Sequence, residues 1–355
     1  MAKTRAVLVK DGRGPSDALY IGEVDKPTAK EGEVIVKVVA FGLNRADIHV
    51  RQSGGAGKAL GYEFSGTVHE LGAGVSGFDI GQAVLGLTSQ GAYAEYVAAP
   101  VGNLLLKPQG LSWVEAAAIM ENWLTAFQGL VLICDIQKGS DVLIHGGASG
   151  VSVAATQLAR LYGASKVFTT VSSEDKVQFV KSLRGGATHA INYRTHDFVE
   201  EIKRETEGKG VSIIVDYIGQ DYFKRNIDTL GIDGHLLILG LLSGFGFPSD
   251  ASLLPLVFKR LNVHGSSLST RSVEYQAALV ARFKREVLDH FTPNEPGGVP
   301  LLQLKIWKVY PWQEVKEAHD AMEANKNQGK IILESSRIVW ICLLSCISSL
   351  SSVDL

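Results

Sequence analysis

Cysteine is scarce: Cys134, Cys342 and Cys346 are the 3 in a chain of 355 residues, too few for a disulfide framework or for the cysteine cluster of a structural zinc lobe. A reducing compartment is the natural expectation. An excess of one charge is also missing, since 35 basic residues face 37 acidic ones. The whole-chain field therefore gives nothing to attract a polyanion, and no nucleic-acid partner is expected. The first ten residues carry Lys3, Arg5 and Lys10 without a continuous apolar stretch, which is not the layout of a secretory signal. A cytoplasmic protein is expected. Internal repeats and low-complexity segments are absent before residue 335. Glycine, by contrast, is plentiful at 38 residues, above the usual ~7%, which points to tight turns or close backbone approach to a ligand. The length suggests about two domains at ~150 residues each.

Between residues 5 and 108, short β-branched runs alternate with glycine, proline and aspartate at 5–10, 33–43, 65–71, 82–87, 92–99 and 104–107. That pattern predicts an antiparallel β domain. At Ser112 the period changes to helical, with Glu115 placed for a capping box, and a helix is expected over 112–132. From 141 to 268 strands and helices alternate, the signature of βαβ units and a parallel sheet. Strand cores are predicted at 142–145, 166–171, 189–192, 213–217, 235–239 and 263–267, with helices at 150–162, 174–183, 198–207 and 222–230. The fold class is thus α/β, a Rossmann-type doubly wound parallel sheet plus a β-rich domain. An amphipathic helix (273–288), a Pro/Gly-rich loop (292–300), a strand (307–310), a helix (313–325) and a strand (330–334) are expected to return to the first domain. The resulting division is 1–127, 128–268, 269–334 and an atypical apolar tail, 335–355.

The segment from Asp141 to Ser152 runs from strand through Gly-rich turn to helix, the context of a pyrophosphate-binding turn, where backbone N–H groups and the helix N-terminus favour anions. Laid over G-x-G-x-x-G from Gly147, however, the second and third glycines are Ser149 and Ser152. The strict fingerprint is not met, and Ser152 predicts a slightly displaced helix. An ordinary βα turn is the plainer alternative. After the next strand stand Ser172, Ser173, Glu174, Asp175 and Lys176. A 2′-phosphate would be tolerated by Ser173, attracted by Lys176 and touched by Tyr193, so NADPH is favoured over NADH. Alternatively Ser173 only caps a helix and Lys176 is a solvated lysine.

Several motifs occur in a fixed order: Asn44-Arg-Ala-Asp47, Gly61-Tyr-Glu-Phe-Ser-Gly66, Ala116-Ala-Ala-Ile119, Trp123-Leu-Thr-Ala-Phe-Gln128, the turn from His145 to Ser152, Asp216-Tyr-Ile-Gly219, Gly240-Leu-Leu, and the stretch from Met322 to Lys330. In these the chain resembles the zinc-free medium-chain dehydrogenase/reductases of the quinone oxidoreductase family, with the tumour-suppressor-inducible quinone oxidoreductase subgroup the nearest pattern. The resemblance covers about Arg5 to Glu334. It implies a GroES-like catalytic domain built from both chain ends around a Rossmann domain, and a homodimer formed by edge pairing of the Rossmann sheets. Related zinc alcohol dehydrogenases would carry a cysteine near Asn44 and a histidine at Tyr62, beside the surviving Glu63. Neither soft ligand is present, so no metal is expected. His145, His189 and His235 are read as core or turn residues.

The resemblance also implies cofactor contacts: Thr125 on the nicotinamide side, Gly147, Ala148, Ser149, Gly150 and Val151 at the pyrophosphate, and Ser173, Lys176 and Tyr193 at the 2′-phosphate. Ile218 and Gly219 would lie near the adenosine ribose, Gly240, Leu241 and Leu268 beside the nicotinamide, and Asn325 and Lys330 would add contacts from the C-terminal elements. Leu241 and Leu268 are equally well read as core, and Lys330 as a solvated charge. Asn44 is the catalytic candidate for a hydrogen bond to the substrate oxygen or the nicotinamide ribose; Asp47, the second, more naturally orders its loop. No general acid is evident. Between Gln52 and Gly61 the chain is shorter than the subgroup pattern and lacks its Tyr-Asp-Pro-Pro stretch, which puts substrate choice in doubt. In the tail, the apolar core 338–347 is about half the ~20 residues a membrane span needs, so no membrane partner is expected, and Cys342 and Cys346 are read as free thiols. The activity implied is zinc-independent NADPH:quinone oxidoreduction. An NADPH-dependent enone or 2-alkenal reductase is the enzymatic alternative, and an NADPH-binding sensor or structural protein without turnover the alternative of another class.

Overall fold

β-Branched runs at the chain's start become strands because they bury alternate or all side chains against neighbours. The computed structural model describes residues 2–54, 59–293, 295 and 297–335; the expectations for 55–58, 294, 296 and the 336–355 tail, with Cys342 and Cys346, lie outside the described residues. The first strands are β1 (Lys3–Val9), β2 (Leu19–Asp25), β3 (Glu33–Leu43), β4 (Glu63–Leu71), β5 (Ala83–Leu87), β6 (Tyr96–Pro100) and β7 (Leu104–Leu106). Next come β8 (Val142–Ile144), β9 (Val167–Val171), β10 (His189–Asn192), β11 (Val211–Asp216), β12 (Leu230–Ile238) and β13 (Asn262–Gly265). The chain closes with β14 (Ile306–Pro311) and β15 (Lys330–Glu334).

Three sheets result. β1 and β2 form an antiparallel pair. A second sheet runs β14-β15-β3-β4-β5-β7, with β6 also on β3. It joins the N-terminal strands to the last two, the GroES-like arrangement. All its pairings are antiparallel except β14 with β15. The third sheet, β10-β9-β8-β11-β12-β13, is wholly parallel. Its order reverses between β8 and β11, and in doubly wound sheets the crevice outside the strand ends at such a reversal is where ligands bind. The fold is therefore α/β, a Rossmann sheet plus a GroES-like β domain.

Local departures from the sequence reading have physical causes. The strand expected over 92–99 is confined to Tyr96–Pro100, because Ala92 and Tyr93 bond to Gly61 and Leu60 outside the ladder. β2 was not anticipated, nor was the helix Arg45–Ser53, whose N-terminus is a capping box between Asn44 and Asp47. The helix expected over 112–132 is divided. Ser112 and Glu115 do form the capping box, but the first helix is only Trp113–Ala116, the second is Met120–Phe127, and Gln128–Ile133 winds as a wider π turn. This stretch is apolar enough by composition to cross a membrane, yet 78% of its apolar window is buried inside the protein. It is a core element.

The largest core forms where these helices meet the parallel sheet and the helix Val273–Glu286. Phe127 lies 5.7 Å from Phe283, and Trp123 lies 4.6 Å from Phe291 edge to face, arrangements that suit the aromatic quadrupole. Phe283 is fully buried. Phe283→Ala is expected to lower stability by about 3–5 kcal/mol through the cavity it leaves, read as a shifted urea midpoint with an unchanged slope.

Candidate active site

The site begins with a glycine. β3 lies between β15 and β4, and Gly42 sits opposite Ile332 on β15. A Cβ at Gly42 would meet Glu63 Oε1 and Lys330 Cε. Only glycine lets Lys330 and Glu63, from the two flanking strands, meet across the central one. Lys330 Nζ lies 2.5 Å from Glu63 Oε1 and donates to Asn44 Oδ1 at 2.6 Å. Asn44 Nδ2 donates to the same Glu63 oxygen at 3.0 Å. Glu63 Oε2 accepts the backbone N–H of Glu121 at 2.8 Å. That amide is free because the helix begins anew at Met120, and first-turn N–H groups have no intrahelical acceptor.

Asp47 lies just behind. Its carboxylate accepts the N–H groups of Asn44 (2.8 Å) and Gly61 (3.1 Å) and the Tyr93 hydroxyl (3.0 Å). Burial pushes Asp47 up to about 7 against these donors. Tyr93 is driven well above the usual phenol range by burial and by the Asp47 charge. Asp47 does not line the cavity described next. It orders the loop before Gly61 and the helix that starts at Arg45.

A cavity of about 690 Å³ runs between the two domains. At one end are Asn44, Arg45, Glu121, Asn122, Thr125 and Lys330; at the other are Ser172, Lys176, Tyr193 and Arg194. Between them pass the Gly-rich turn and the segment from Met322 to Lys330. Gly146 has φ +58°, a conformation that favours glycine. A Cβ at Gly147 would press on Thr169, and one at Gly150 on Asn122 Nδ2 at 2.3 Å. Ser149 caps the helix Gly150–Leu161. Ser152, in place of the third fingerprint glycine, is accommodated by bonding: its hydroxyl donates to the His145 carbonyl at 2.9 Å and accepts from the Ser149 hydroxyl at 2.8 Å. First-turn amides aimed into a cavity of this size are suited to a pyrophosphate. The residues present fit a dinucleotide.

The cations at the far end have no carboxylate partner among the described residues. Lys176 Nζ donates to the Asn325 carbonyl at 2.7 Å, and burial together with the nearby Arg194 charge holds it below the ordinary lysine range. Asn325, with φ +53°, also accepts from Arg45 Nη2 at 2.7 Å through its side chain. One residue thus joins the two domains.

Of the sequence candidates, Asn44, Thr125, Ala148, Ser149, Gly150, Val151, Lys176, Tyr193, Ile218, Gly240, Asn325 and Lys330 line the cavity. Gly147 and Gly219 lie in the turns behind it, and Ser173 caps the helix Glu174–Ser182 while its neighbour Ser172 faces the cavity. Leu242 lines the cavity where Leu241 was expected. Leu268, in the bend after β13, belongs to the core, 3% exposed among helix and sheet side chains, and its carbonyl accepts from Gln276. Lys330, read alternatively as solvated, is 4% exposed. His145 is a core residue, bonded to Thr170 and Asn226 at 2.9 and 2.7 Å and pushed down to about 4 by burial. The lining residues that sequence reasoning did not single out include Arg45, Glu121, Asn122 and Arg194. The signal for Glu121 was an acid in the middle of an apolar run, passed over because a single helix was expected there.

Residues 150–285 match the zinc-binding dehydrogenase family and residues 30–109 the alcohol dehydrogenase GroES-like domain. The chain is 31% identical to the synaptic vesicle membrane protein VAT-1 homolog of Danio rerio, over 93% of this chain and 70% of that protein. With a 2-haloacrylate reductase of Burkholderia it shares 30% identity, over 92% and 98%. The structure of Escherichia coli quinone oxidoreductase complexed with NADPH superposes with a TM-score of 0.79 at 27% identity, covering 93% of this chain and 99% of that one. A fold and cleft of this kind define a nucleotide-dependent oxidoreductase. The chain belongs to the medium-chain dehydrogenase/reductase family. Zinc does not fit its site: Glu63 is engaged by Lys330, Asn44 and the Glu121 amide, and Asn44 and Tyr62 offer neither thiolate nor imidazole. Among the described residues no group of three His, Cys, Asp or Glu side chains forms a metal site.

Asp47→Ala would leave three buried donors unpaired, at about 1–3 kcal/mol each before relaxation. A loss of at least about 3 kcal/mol in chemical denaturation is expected, with Asp47→Asn milder.

Proposed function

We propose that the chain is a zinc-independent, NADPH-dependent quinone oxidoreductase. The observation that carries the cofactor choice is the pair Lys176 and Arg194, which line the cavity beside Tyr193 and have no carboxylate partner among the described residues. Two cations converging without an acid suit a phosphate dianion. The ammonium of Lys176 keeps two donors after bonding Asn325, enough to meet a 2′-phosphate without breaking the clasp between domains.

The bound nicotinamide would supply a hydride, and this chain's own residues would position the acceptor. In this reading Thr125, Gly240 and Lys330 surround the reacting end, and Asn44, held by Glu63 and Lys330, presents a fixed amide to an oxygen on which charge grows. Fixed donors of that kind stabilise such charge without reorganising. Quinones accept hydride readily, so positioning accounts for most of what the protein must do. Reduction of an activated double bond is the second reading, favoured by the similarity to the 2-haloacrylate reductase. A sensor or structural role without turnover is the third.

A second copy of the chain is the proposed partner. β13 leaves one edge of the parallel sheet open, and Phe258, Val257 and Leu254 are 71%, 70% and 63% exposed close to it in sequence. An open strand edge with apolar neighbours is a natural pairing surface. Phe258→Asp is expected to give a monomer by light scattering if that edge carries the dimer; an unchanged mass would move the interface elsewhere.

The cofactor reading is tested by titrating NADPH and NADH into wild type, Lys176→Ala and Arg194→Ala. Each loss of a charge-assisted bond of ~1.5–3 kcal/mol should weaken NADPH about 10- to 100-fold, leaving NADH nearly unmoved. Equal losses for both nucleotides would refute the 2′-phosphate assignment. Oxidation of NADPH by a para-quinone in preference to a 2-alkenal would support quinone reduction; the reverse preference would favour the double-bond reductase, and binding without turnover the third reading.

A further inference from the structure

Opposite Asn44 and Lys330, the cavity wall contains a carboxyl group that the reading above leaves unused. Glu121 is the second residue of the helix Met120–Phe127, and the residue lines the cavity. Its backbone amide serves Glu63. Its side-chain oxygen Oε2 is closed to solvent and has no hydrogen-bond partner among the described residues. A carboxylate in that position would be desolvated with no hydrogen bond at Oε2 and only the Lys330 charge, already engaged by Glu63, to offset it, a cost that a neutral carboxylic acid avoids.

Charge counting gives the same answer. Three carboxyl groups, Asp47, Glu63 and Glu121, share one cation, Lys330. Glu63 has that ammonium, the Asn44 amide and the Glu121 N–H. Asp47 has two backbone amides and the Tyr93 hydroxyl. Glu121 has no such donor, so a proton retained by this cluster belongs there. Tyr62, which also faces Glu121, is pushed up to about 12 by burial and stays neutral. His49 lines the same cavity from an exposed position.

We propose that Glu121 is the proton donor of the reduction, a neutral carboxylic acid that hands its proton to the acceptor oxygen on which negative charge develops. This rests on the reductase reading above. The acceptor gains a hydride, two electrons and one proton, from the reduced nucleotide; a quinone thereby becomes a hydroquinone monoanion and an enal an enolate. The O–H bond of Glu121 breaks as an O–H bond forms on that anion, giving the hydroquinone, or an enol that tautomerises in water. Glu121 is left as a carboxylate and recovers its proton from solvent. Burial, with the neighbouring Glu63 charge, pushes Glu121 up to about 8, so it is protonated near neutrality and not too weak an acid to release its proton.

The test is Glu121→Gln, which keeps the shape but has no proton to transfer. In the wild type, kcat/KM for a para-quinone or a 2-alkenal should fall as pH rises through about 8, as the donor ionises. The variant should lose about 100-fold or more in kcat together with that limb of the profile, while its NADPH affinity by fluorescence is unchanged. A second readout needs no turnover. The folded carboxyl is raised above its ordinary 4.5 to about 8, so the stability it confers as an acid is lost over that interval as pH increases. Glutamine does not titrate. The Tm of the variant minus that of the wild type should therefore increase from pH 4.5 to 8 and then level off. Wild-type turnover and pH profile in the variant, or a Tm difference flat with pH, would overturn the proposal. A wild type that oxidises NADPH with neither acceptor would overturn the reductase reading and the donor role with it, a result distinct from a variant that merely matches an active wild type.

Discussion

The ion pair of Lys330 with Glu63 is the constraint on which the rest of the cleft depends. Both groups are almost fully buried, and isolating either would leave an uncompensated charge in a low-dielectric interior. The pair is possible only because Gly42 opens a gap in the central strand. It also fixes what surrounds it. Asn44 must turn its amide to Glu63 and its carbonyl oxygen to Lys330, which settles the amide's orientation, and the helix start at Met120 must aim its free amide at the second Glu63 oxygen. A buried pair of this kind contributes little net stability compared with apolar packing. Its value lies in geometry, since it ties β15, from the chain's end, to β4 and to the helix that carries Glu121 and Thr125.

The same pair makes the cavity electrostatically lopsided. Behind its inner end one lysine, Lys330, is shared among three carboxyl groups, of which Glu121 alone lines the cavity; at its outer end Lys176 and Arg194 line it with no carboxylate partner among the described residues. A phosphate would therefore be drawn to one end, and an electron-rich oxygen at the other would meet amide and ammonium donors already held in place. A ligand charged at one end and reactive at the other enters such a cleft in a single orientation.

Much of this was legible in the sequence. Strand and helix alternation between 141 and 268 anticipated all six parallel strands, because buried parallel strands read as continuous apolar runs. The Gly-rich turn was recognisable by context although its fingerprint was imperfect. Other features were not legible, for identifiable reasons. The helix Arg45–Ser53 follows a long strand without a break in apolar spacing, and its buried members include Asp47 and Arg51, residues that pattern reading places outside. Arg51 is buried because its guanidinium meets the Gly14 carbonyl, His319 and Glu323, contacts between distant segments. Glu121 was hidden by the assumption of one helix over 112–132. On an unbroken helix its amide would bond Ala117 and its side chain would be placed by helical spacing alone; the break at residues 117–119 frees the amide for Glu63. For Leu268 the core alternative holds, since a position in sequence order does not say which way a side chain turns in the bend after a strand.

The break and the cleft are coupled through the segment from Met322 to Lys330. Gly329 donates to the Ala148 carbonyl at 2.8 Å, inside the phosphate-type turn; its φ of +102° and the Lys305 carbonyl beside it leave room for no side chain. Met322 and Asn325 accept from Arg45, and Asn325 from Lys176. Nine residues thus touch the start of the helix Arg45–Ser53, the glycine turn, the cation pair and, through Lys330, the buried network around Glu63. Neither end of the cavity can shift without straining this segment, because its bonds to the two domains alternate along the chain. The separation between Lys176 and Asn44 is accordingly set by a short piece of backbone rather than by the independent packing of two domains.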